Sequence, residues 1–393
     1  MNITLSAKMN AFQTSIFSEL ADYKKRKIQE GKNLIDLSIG SPDLPPPDFV
    51  IKELQKNVQD PSQYGYSLAG TMELHQAITD YYLRQFDVRL HADDEVLTVM
   101  GSQDGLVHLP MVFTNPGDII LVPDPGYTAY DAGIALAGAA PYPMPLREEN
   151  HYLPDLSKIP NEIREKAKLM ILNFPGNPVP ALATKAFFED VVQFASENQI
   201  VVLHDFAYSE LYYDEKPISF LSVEGAKEVG AEFNSLSKSF NMAGCRIGYL
   251  VGNAQMINGL NRLKSNLDYG VFLPVQKAAV AALKHSSQFS EQLRSIYKQR
   301  RDILVSGLNA IGWKVDSPKA SMFVWAKVPK PFTSTQFAYQ LIDEAGIVVT
   351  PGSAFGSGGE GYVRIALTQN EEVLEKAVTR LSELSLFSNH LPM

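Results

Sequence analysis

Ser235-Leu236-Ser237-Lys238-Ser239-Phe240-Asn241-Met242-Ala243-Gly244-Cys245-Arg246-Ile247-Gly248-Tyr249 is the densest stretch of this 393-residue chain. One lysine sits among small hydroxyl residues, with an arginine eight positions further on. A lysine so placed can condense with an aldehyde, while hydroxyls and a guanidinium hold a dianionic phosphate by charge-assisted hydrogen bonds. The run therefore suits a ligand with an aldehyde at one end and a phosphate at the other. Taken alone, a lysine in a serine-rich loop carries no such meaning, and the rest of the chain has to supply it.

Upstream of that run, strand-like apolar segments alternate with helical ones: Val96 to Met100, Ile119 to Val122, Leu169 to Leu172 and Ile200 to Leu203. From about Thr71, Leu74, Ile78, Tyr81 and Tyr82 recur at helical spacing. Such alternation predicts an α/β protein with a mainly parallel central sheet flanked by helices. Ligands of open parallel sheets gather beyond the carboxyl ends of the strands. Polar and aromatic groups follow each run in turn: Gly101-Ser102-Gln103-Asp104, Asp124-Pro125-Gly126-Tyr127, Asn173 to Pro178, and His204-Asp205-Phe206-Ala207-Tyr208. After Gln276 a long helical stretch runs through Leu293, Ile296, Ile303, Leu304 and Leu308. A short mixed tail follows, with a last helix marked by Leu374, Ala377, Val378 and Leu381. Lys298, Arg300 and Arg301 read as the solvated face of an exposed helix.

Composition narrows the classes. The chain is 45% hydrophobic and 20% charged, as in a soluble globular protein. A formal net charge of −9 disfavours nucleic acid and anionic membrane as partners, leaving room for a local positive pocket. Cys245 is the only cysteine, which excludes an internal disulfide and paired-thiol metal sites and suits a reducing cytoplasm; no metal is expected. The N-terminus has no basic stretch leading into an apolar core, and no apolar run reaches the ~18 residues of a membrane helix.

The motifs, in order, resemble those of class I/II aminotransferases, the fold-type-I pyridoxal phosphate enzymes, and the resemblance spans Gly40 to Arg364. It implies a large cofactor-binding domain over 49–284 and a smaller α/β domain made of 1–48 with 285–393. It also implies pyridoxal 5'-phosphate joined to Lys238 as a Schiff base. Asp205 then keeps the ring nitrogen protonated, so that the ring works as an electron sink. Tyr208 and Asn177 reach the ring's phenolic oxygen, and Tyr127 stacks on the ring. Gly101, Ser102 and Gln103 offer a helix N-terminus to the phosphate, completed by Ser235, Ser237 and Arg246. Arg364, in Gly361-Tyr362-Val363-Arg364-Ile365-Ala366, clamps the substrate α-carboxylate together with Gly40 and Asn177. Tyr64 or Tyr66 corresponds to a tyrosine that reaches the phosphate of a neighbouring subunit, which implies a homodimer with shared active sites.

Each motif also admits a plainer role: a turn-capping aspartate at 205, a Ser N-cap at 102, a packing tyrosine at 127, a structural salt bridge at Arg364, a turn glycine at 40. One departs from the family pattern, because Val179-Pro180 follows Pro175-Gly176-Asn177-Pro178 where threonine and glycine are usual. The implied activity is transfer of an amino group between an L-amino acid and a 2-oxo acid in a ping-pong cycle of the aldehyde and amine forms of the cofactor. A pyridoxal phosphate-dependent C–S β-lyase on the same scaffold is the alternative. A ligand sensor fused to a DNA-binding module would need more than the about 40 residues before Gly40. His204 to Tyr208 and Ser41 to Pro47 resemble a bacterial branch that includes aspartate, aromatic and LL-diaminopimelate aminotransferases. Tyr269, Phe272 and Phe17 are candidates for either a substrate pocket or the core.

Overall fold

The computed structural model describes residues 1, 3–12 and 16–387. Its strands, in chain order, are β1 (Ile35–Asp36), β2 (Val96–Val99), β3 (Ile119–Asp124), β4 (Ala140–Pro145), β5 (Ala167–Leu172), β6 (Val201–Asp205), β7 (Gly230–Ser235), β8 (Gly248–Gly252), β9 (Phe323–Lys327), β10 (Ile347–Val348), β11 (Thr350–Pro351) and β12 (Tyr362–Ala366). Strands β2 to β8 form one sheet in the order β2-β8-β7-β6-β5-β3-β4. All neighbours in it are parallel except β8, which runs antiparallel to β2 and β7.

The uninterrupted apolar runs follow from burial on both faces of this sheet. Within β5, Met170 and Leu172 enter one core while Leu169 and Ile171 enter another. The first core is shared with the helices Met72–Phe86, Lys185–Asn198 and Leu273–Lys284, the second with Ser102–Phe113, Ala129–Ala137 and Ala254–Lys264. Helix Met72–Phe86 begins at the expected place because the Thr71 hydroxyl caps it, accepting from Leu74 N at 3.3 Å. A third core joins Ile35 and Leu37 to Leu293, Leu304, Trp313, Val324, Ile365 and Leu381, and takes in Tyr208 and Leu211 from the loop after β6. Over it lie the three-stranded sheet β11-β12-β9 and the pair β1-β10. No helix among the described residues is long and apolar enough to cross a membrane.

The long helical stretch is two helices, Leu273–Lys284 and Ser286–Ala310, abutting at His285. On the second of them the basic cluster departs from expectation. Lys298 is on the surface, but Arg300 and Arg301 are buried, at 2% and 6% exposure. Helical period explains it: Leu293, Tyr297, Arg300, Arg301, Leu304 and Leu308 fall on one inward stripe. Arg300 forks onto both oxygens of Asp43 at 2.8 Å and donates to the Leu367 carbonyl at 3.1 Å. It thereby ties the helix to the loop that follows Gly40.

Replacing Arg300 by Gln breaks the fork onto the partly exposed Asp43 and takes a donor from the buried Leu367 carbonyl, which should destabilise the fold by about 2 kcal/mol in denaturant titration. Lys298→Ala, on the wet side of the same helix, should leave the midpoint where it was.

Candidate active site

Parallel strands β3, β5, β6 and β7 deliver their carboxyl ends to one rim. Strand β8 runs the other way, so its beginning lies at that rim too, with Gly248 paired to Ser235 on β7 and to Val99 on β2. The rim encloses a cavity of about 260 Å³, lined by Gly40, Ser102, Gln103, Tyr127, Asn177, Asp205, Tyr208, Ser235, Ser237, Lys238 and Arg246, with Ser41, Asn173, Ala207 and Ala243. Residues read as a set from the sequence thus converge on one space.

One end of the cavity is built for an anion. Gly101 caps the helix Ser102–Phe113 with φ +80, in the left-handed region, and a Cβ there would lie 2.5 Å from Arg246 Nη2. Only glycine lets the guanidinium close over the helix start, whose first N–H groups have no intrahelical partner. Ser235 Oγ accepts from Ser237 N at 3.1 Å, turning the chain so that both serines border the cavity. Arg246 donates to the Ala243 carbonyl at 3.0 Å and has no acidic partner among the described residues. Beneath this cup, Asp104 takes Met100 N at 3.0 Å and the fully buried Lys264 at 2.7 Å. Burial alone would raise its carboxyl, but His108 and Lys264 hold it down at about 2.

At the other end stands Asp205, 4% exposed. Its Oδ2 accepts from Tyr130 Oη at 2.9 Å and its Oδ1 from Ala207 N at 3.3 Å. Burial pushes its carboxyl up, opposed by Tyr130, Ala207 and the charges of His204 and Lys238. No protein cation forms an ion pair with it among the described residues, so an ionised Asp205 calls for a cation from outside. The ring nitrogen of pyridoxal phosphate is such a group.

Between the two ends, Lys238 Nζ donates to the Gly40 carbonyl at 2.7 Å. Burial, with the positive charges of Arg364 and Arg246, lowers its ammonium to about 8, against the opposing pull of Asp205. Gly40 also faces Arg364: a Cβ there would be 3.2 Å from the Phe323 ring and 3.6 Å from Arg364 Nη1. Arg364, on the middle strand of the three-stranded sheet, is 3% exposed and sandwiched by Phe323 and Phe355 at 4.3 and 4.8 Å. It donates to Asn177 Oδ1 at 2.7 Å, the Ser38 carbonyl at 2.6 Å and Thr350 Oγ1 at 3.3 Å, and its Nε has no partner. All of these acceptors are neutral. Burial lowers the guanidinium to about 10, and among the described residues no structural salt bridge answers it.

Val179-Pro180 does not displace Asn177. Val179 is buried and its carbonyl closes the turn on Gly176 N at 3.2 Å, while Asn173 Oδ1 accepts Asn177 N at 2.9 Å. Asn173 also donates to the Asp205 carbonyl at 2.7 Å, a positioning role that the strand-end rule could have found. Tyr127 leans its hydroxyl on Gln103 Oε1 at 3.2 Å. Tyr64 and Tyr66 do not line the cavity of this chain; both are exposed, at 61% and 83%. Tyr269 and Phe272 are exposed beside them, and Phe17 packs edge-on against Phe355 at 5.4 Å.

A sheet rim that presents an amine, a buried acid and an anion-suited cup in one cavity is the arrangement of a fold-type-I pyridoxal phosphate enzyme. The profile of the family "Aminotransferase class I and II" matches residues 32–381, and the chain belongs to that family: it is a pyridoxal phosphate-dependent aminotransferase. It is 43% identical over 383 residues to a protein of Aquifex aeolicus named LL-diaminopimelate aminotransferase, covering 97% of this chain and 99% of that one. A substrate-bound BacF structure from Bacillus subtilis superimposes with a TM-score of 0.95 at 41% identity, covering 100% of both chains. A structure from Thermus thermophilus described as a probable N-succinyldiaminopimelate aminotransferase gives 0.90 at 33% identity, covering 94% of this chain and 100% of that one. None of these is named a lyase, and the β-lyase alternative finds no support.

Only the neutral amine attacks an aldehyde. Capture of added cofactor by the apoprotein, followed by visible absorption, should therefore quicken about tenfold per pH unit up to about 8 and level off above it. A lysine at its ordinary value would keep accelerating up to about pH 10.

Proposed function

We propose that this cavity is the site of reversible amino-group transfer between an L-amino acid and a 2-oxo acid, with Lys238 as the proton carrier, Asp205 as the ring-nitrogen partner and Arg364 as the carboxylate clamp. The observation that carries the reading is the guanidinium of Arg364: buried, stacked between two rings, and met only by neutral acceptors. A substrate carboxylate supplies the missing charge and a bidentate partner. The cup of Gly101, Ser102, Gln103, Ser235, Ser237 and Arg246 takes the phosphate, and Tyr127 covers the ring. Asn177 and Tyr208 reach the ring's phenolic oxygen. When bound, the cofactor supplies the electrophilic carbon that accepts the amino group and a ring that stabilises charge left on the substrate's α-carbon. Lys238 Nζ, its ammonium lowered to about 8 so that a usable fraction is neutral near physiological pH, receives the α-proton as general base and returns it as general acid. Arg364 and Gly40 hold the carboxylate so that the α-hydrogen faces that amine.

The active enzyme in this reading is a homodimer in the cytoplasm. Tyr66 lies against Tyr269 and Tyr64 against Phe272, and with Leu68, Met72 and Leu267 they make an exposed apolar face of the kind that marks an interface. Tyr64 already gives its hydroxyl to the Val58 carbonyl at 2.8 Å. Tyr66, turned outward, is the one assigned to a neighbouring subunit's phosphate. The range 49–284 is taken as the cofactor-binding domain, and 1–48 with 285–393 as the domain that brings Arg364. The single cysteine fits a reducing compartment.

LL-diaminopimelate is the donor put first, because relatives 41–45% identical over most of the chain bear that name. A second reading, a donor with an aromatic side chain, rests on the cavity wall, which among the described residues holds Tyr127 and Tyr208 and no cation besides Lys238 and Arg246.

Amino donors assayed against 2-oxoglutarate and pyruvate decide between them: the first reading expects kcat/KM for LL-diaminopimelate at least about tenfold above phenylalanine or tyrosine, and the reverse order installs the second. Lys238→Ala should remove the visible absorption of bound cofactor and cost at least about a thousandfold in kcat, and retained colour would place the cofactor lysine elsewhere. Tyr66→Phe should weaken cofactor binding about tenfold while Tyr64→Phe leaves it unchanged, read by equilibrium dialysis of the dimer.

A further inference from the structure

We propose that Tyr130 sets the charge of the cofactor's ring nitrogen: by donating its hydroxyl to Asp205 it keeps that acid ionised, so that the proton stays on the ring. The inference rests on the proposed contact between Asp205 and the ring. Tyr130 is fully buried, and its Oη meets Asp205 Oδ2 at 2.9 Å, whereas the other donor, Ala207 N, is at 3.3 Å. Tyr130 is thus the one side chain hydrogen-bonded to this carboxylate among the described residues.

Its hydroxyl is fixed from three sides. Tyr130 N bonds the Tyr127 carbonyl at 3.1 Å, and the two rings meet edge to face at 5.8 Å and 90°. The helix Ala129–Ala137 presses on the cup helix Ser102–Phe113 at Gly133, where a Cβ would come 2.8 Å from the Leu106 carbonyl. A ring held this way points one donor at one oxygen. The other titratable groups that act on Asp205 are His204 on its own strand, Lys238 from the segment after β7, and the hydroxyls of Tyr127 and Tyr208. None of these hydrogen-bonds the carboxylate. Without Tyr130 the buried carboxylate gains proton affinity. One proton then moves from the ring nitrogen to Asp205, leaving both neutral, with no other reactant needed. Tyr130 is a positioning residue, acting on the ring only through Asp205.

The test is Tyr130→Phe as holoenzyme, loaded with cofactor carrying ¹⁵N in its ring. The ¹⁵N resonance should move from the protonated toward the unprotonated position. The pH midpoint of the visible band should rise by about one unit, because a ring of lower positive charge holds the neighbouring imine proton longer. Turnover should fall at least about tenfold with KM for the donor held within about twofold. 3-Fluorotyrosine at position 130, a stronger donor of nearly the same shape, should move the midpoint down, and it serves if the phenylalanine variant folds poorly. An unmoved resonance and midpoint, even with a lowered melting temperature, would overturn the assignment. In Asp205→Ala holoenzyme the ring should lose its proton outright. A ring still protonated there would instead sink the contact between Asp205 and the cofactor.

Discussion

Two buried groups of opposite charge, the Asp205 carboxylate on the cavity wall and the Arg364 guanidinium just behind Asn177 and Gly40 of that wall, have no ionic partner among the described residues. Leaving either uncompensated costs several kcal/mol, and a protein selected for stability alone would pair or remove them. Here each is instead given neutral company: Tyr130 and Ala207 for the acid, Asn177, Ser38 and Thr350 for the base. Such company fixes direction without cancelling charge. With Arg246 and Lys238 the cavity is predominantly cationic inside a chain of net charge −9, and low-dielectric walls concentrate that field on anions. Such a field favours anions, and together with burial it makes the Lys238 amine easier to deprotonate.

Holding unpaired charges requires a rigid second layer, and the far side of the sheet supplies it. His204 precedes Asp205 on β6, so its side chain points the opposite way. There its Nδ1 lies 2.9 Å from Glu232 Oε2, and its Nε2 lies 3.1 Å from the Phe174 carbonyl. Glu232 also takes Tyr82 Oη, Ser219 Oγ and Phe220 N, all at 2.8–2.9 Å. The loop from Asn173 to Asn177 is therefore held from below by His204 and from within by Asn173. That is why a turn ending in Val179-Pro180 still delivers Asn177 to Arg364.

Alternating apolar runs and strand-end polar groups make the sheet and most of the cavity legible in the sequence, because both obey short-range rules. Strand β8 is less so: its apolar run looks like the others, and only pairing reveals that it runs backward and brings Arg246 to the rim. Arg300 and Arg301 defeat the surface reading because their charge masks their periodicity, although the spacing from Leu293 to Leu308 marks their face. Tyr130 and Lys264 escape the sequence for a different reason. Their roles depend on partners 75 and 160 residues away, which no local pattern encodes.

The loop from Ser38 to Asp43 shows how the two halves of the site are brought to one scale. Arg364 holds its Ser38 carbonyl, Thr368 its Ile39 carbonyl at 3.0 Å, and Arg300 its Asp43. Each of these anchors comes from the part of the chain that follows His285. Lys238, from the other part, donates to the Gly40 carbonyl in the middle of the loop. One short segment thus touches both the Lys238 amine and the Arg364 guanidinium. A side chain at residue 40 would press on the Phe323 ring and approach Arg364, so glycine there is what lets the two cations share one backbone carbonyl's neighbourhood. In the proposed reaction that spacing would set where a substrate's α-carbon rests relative to Lys238, so the geometry of this loop would govern how well the amine meets its proton.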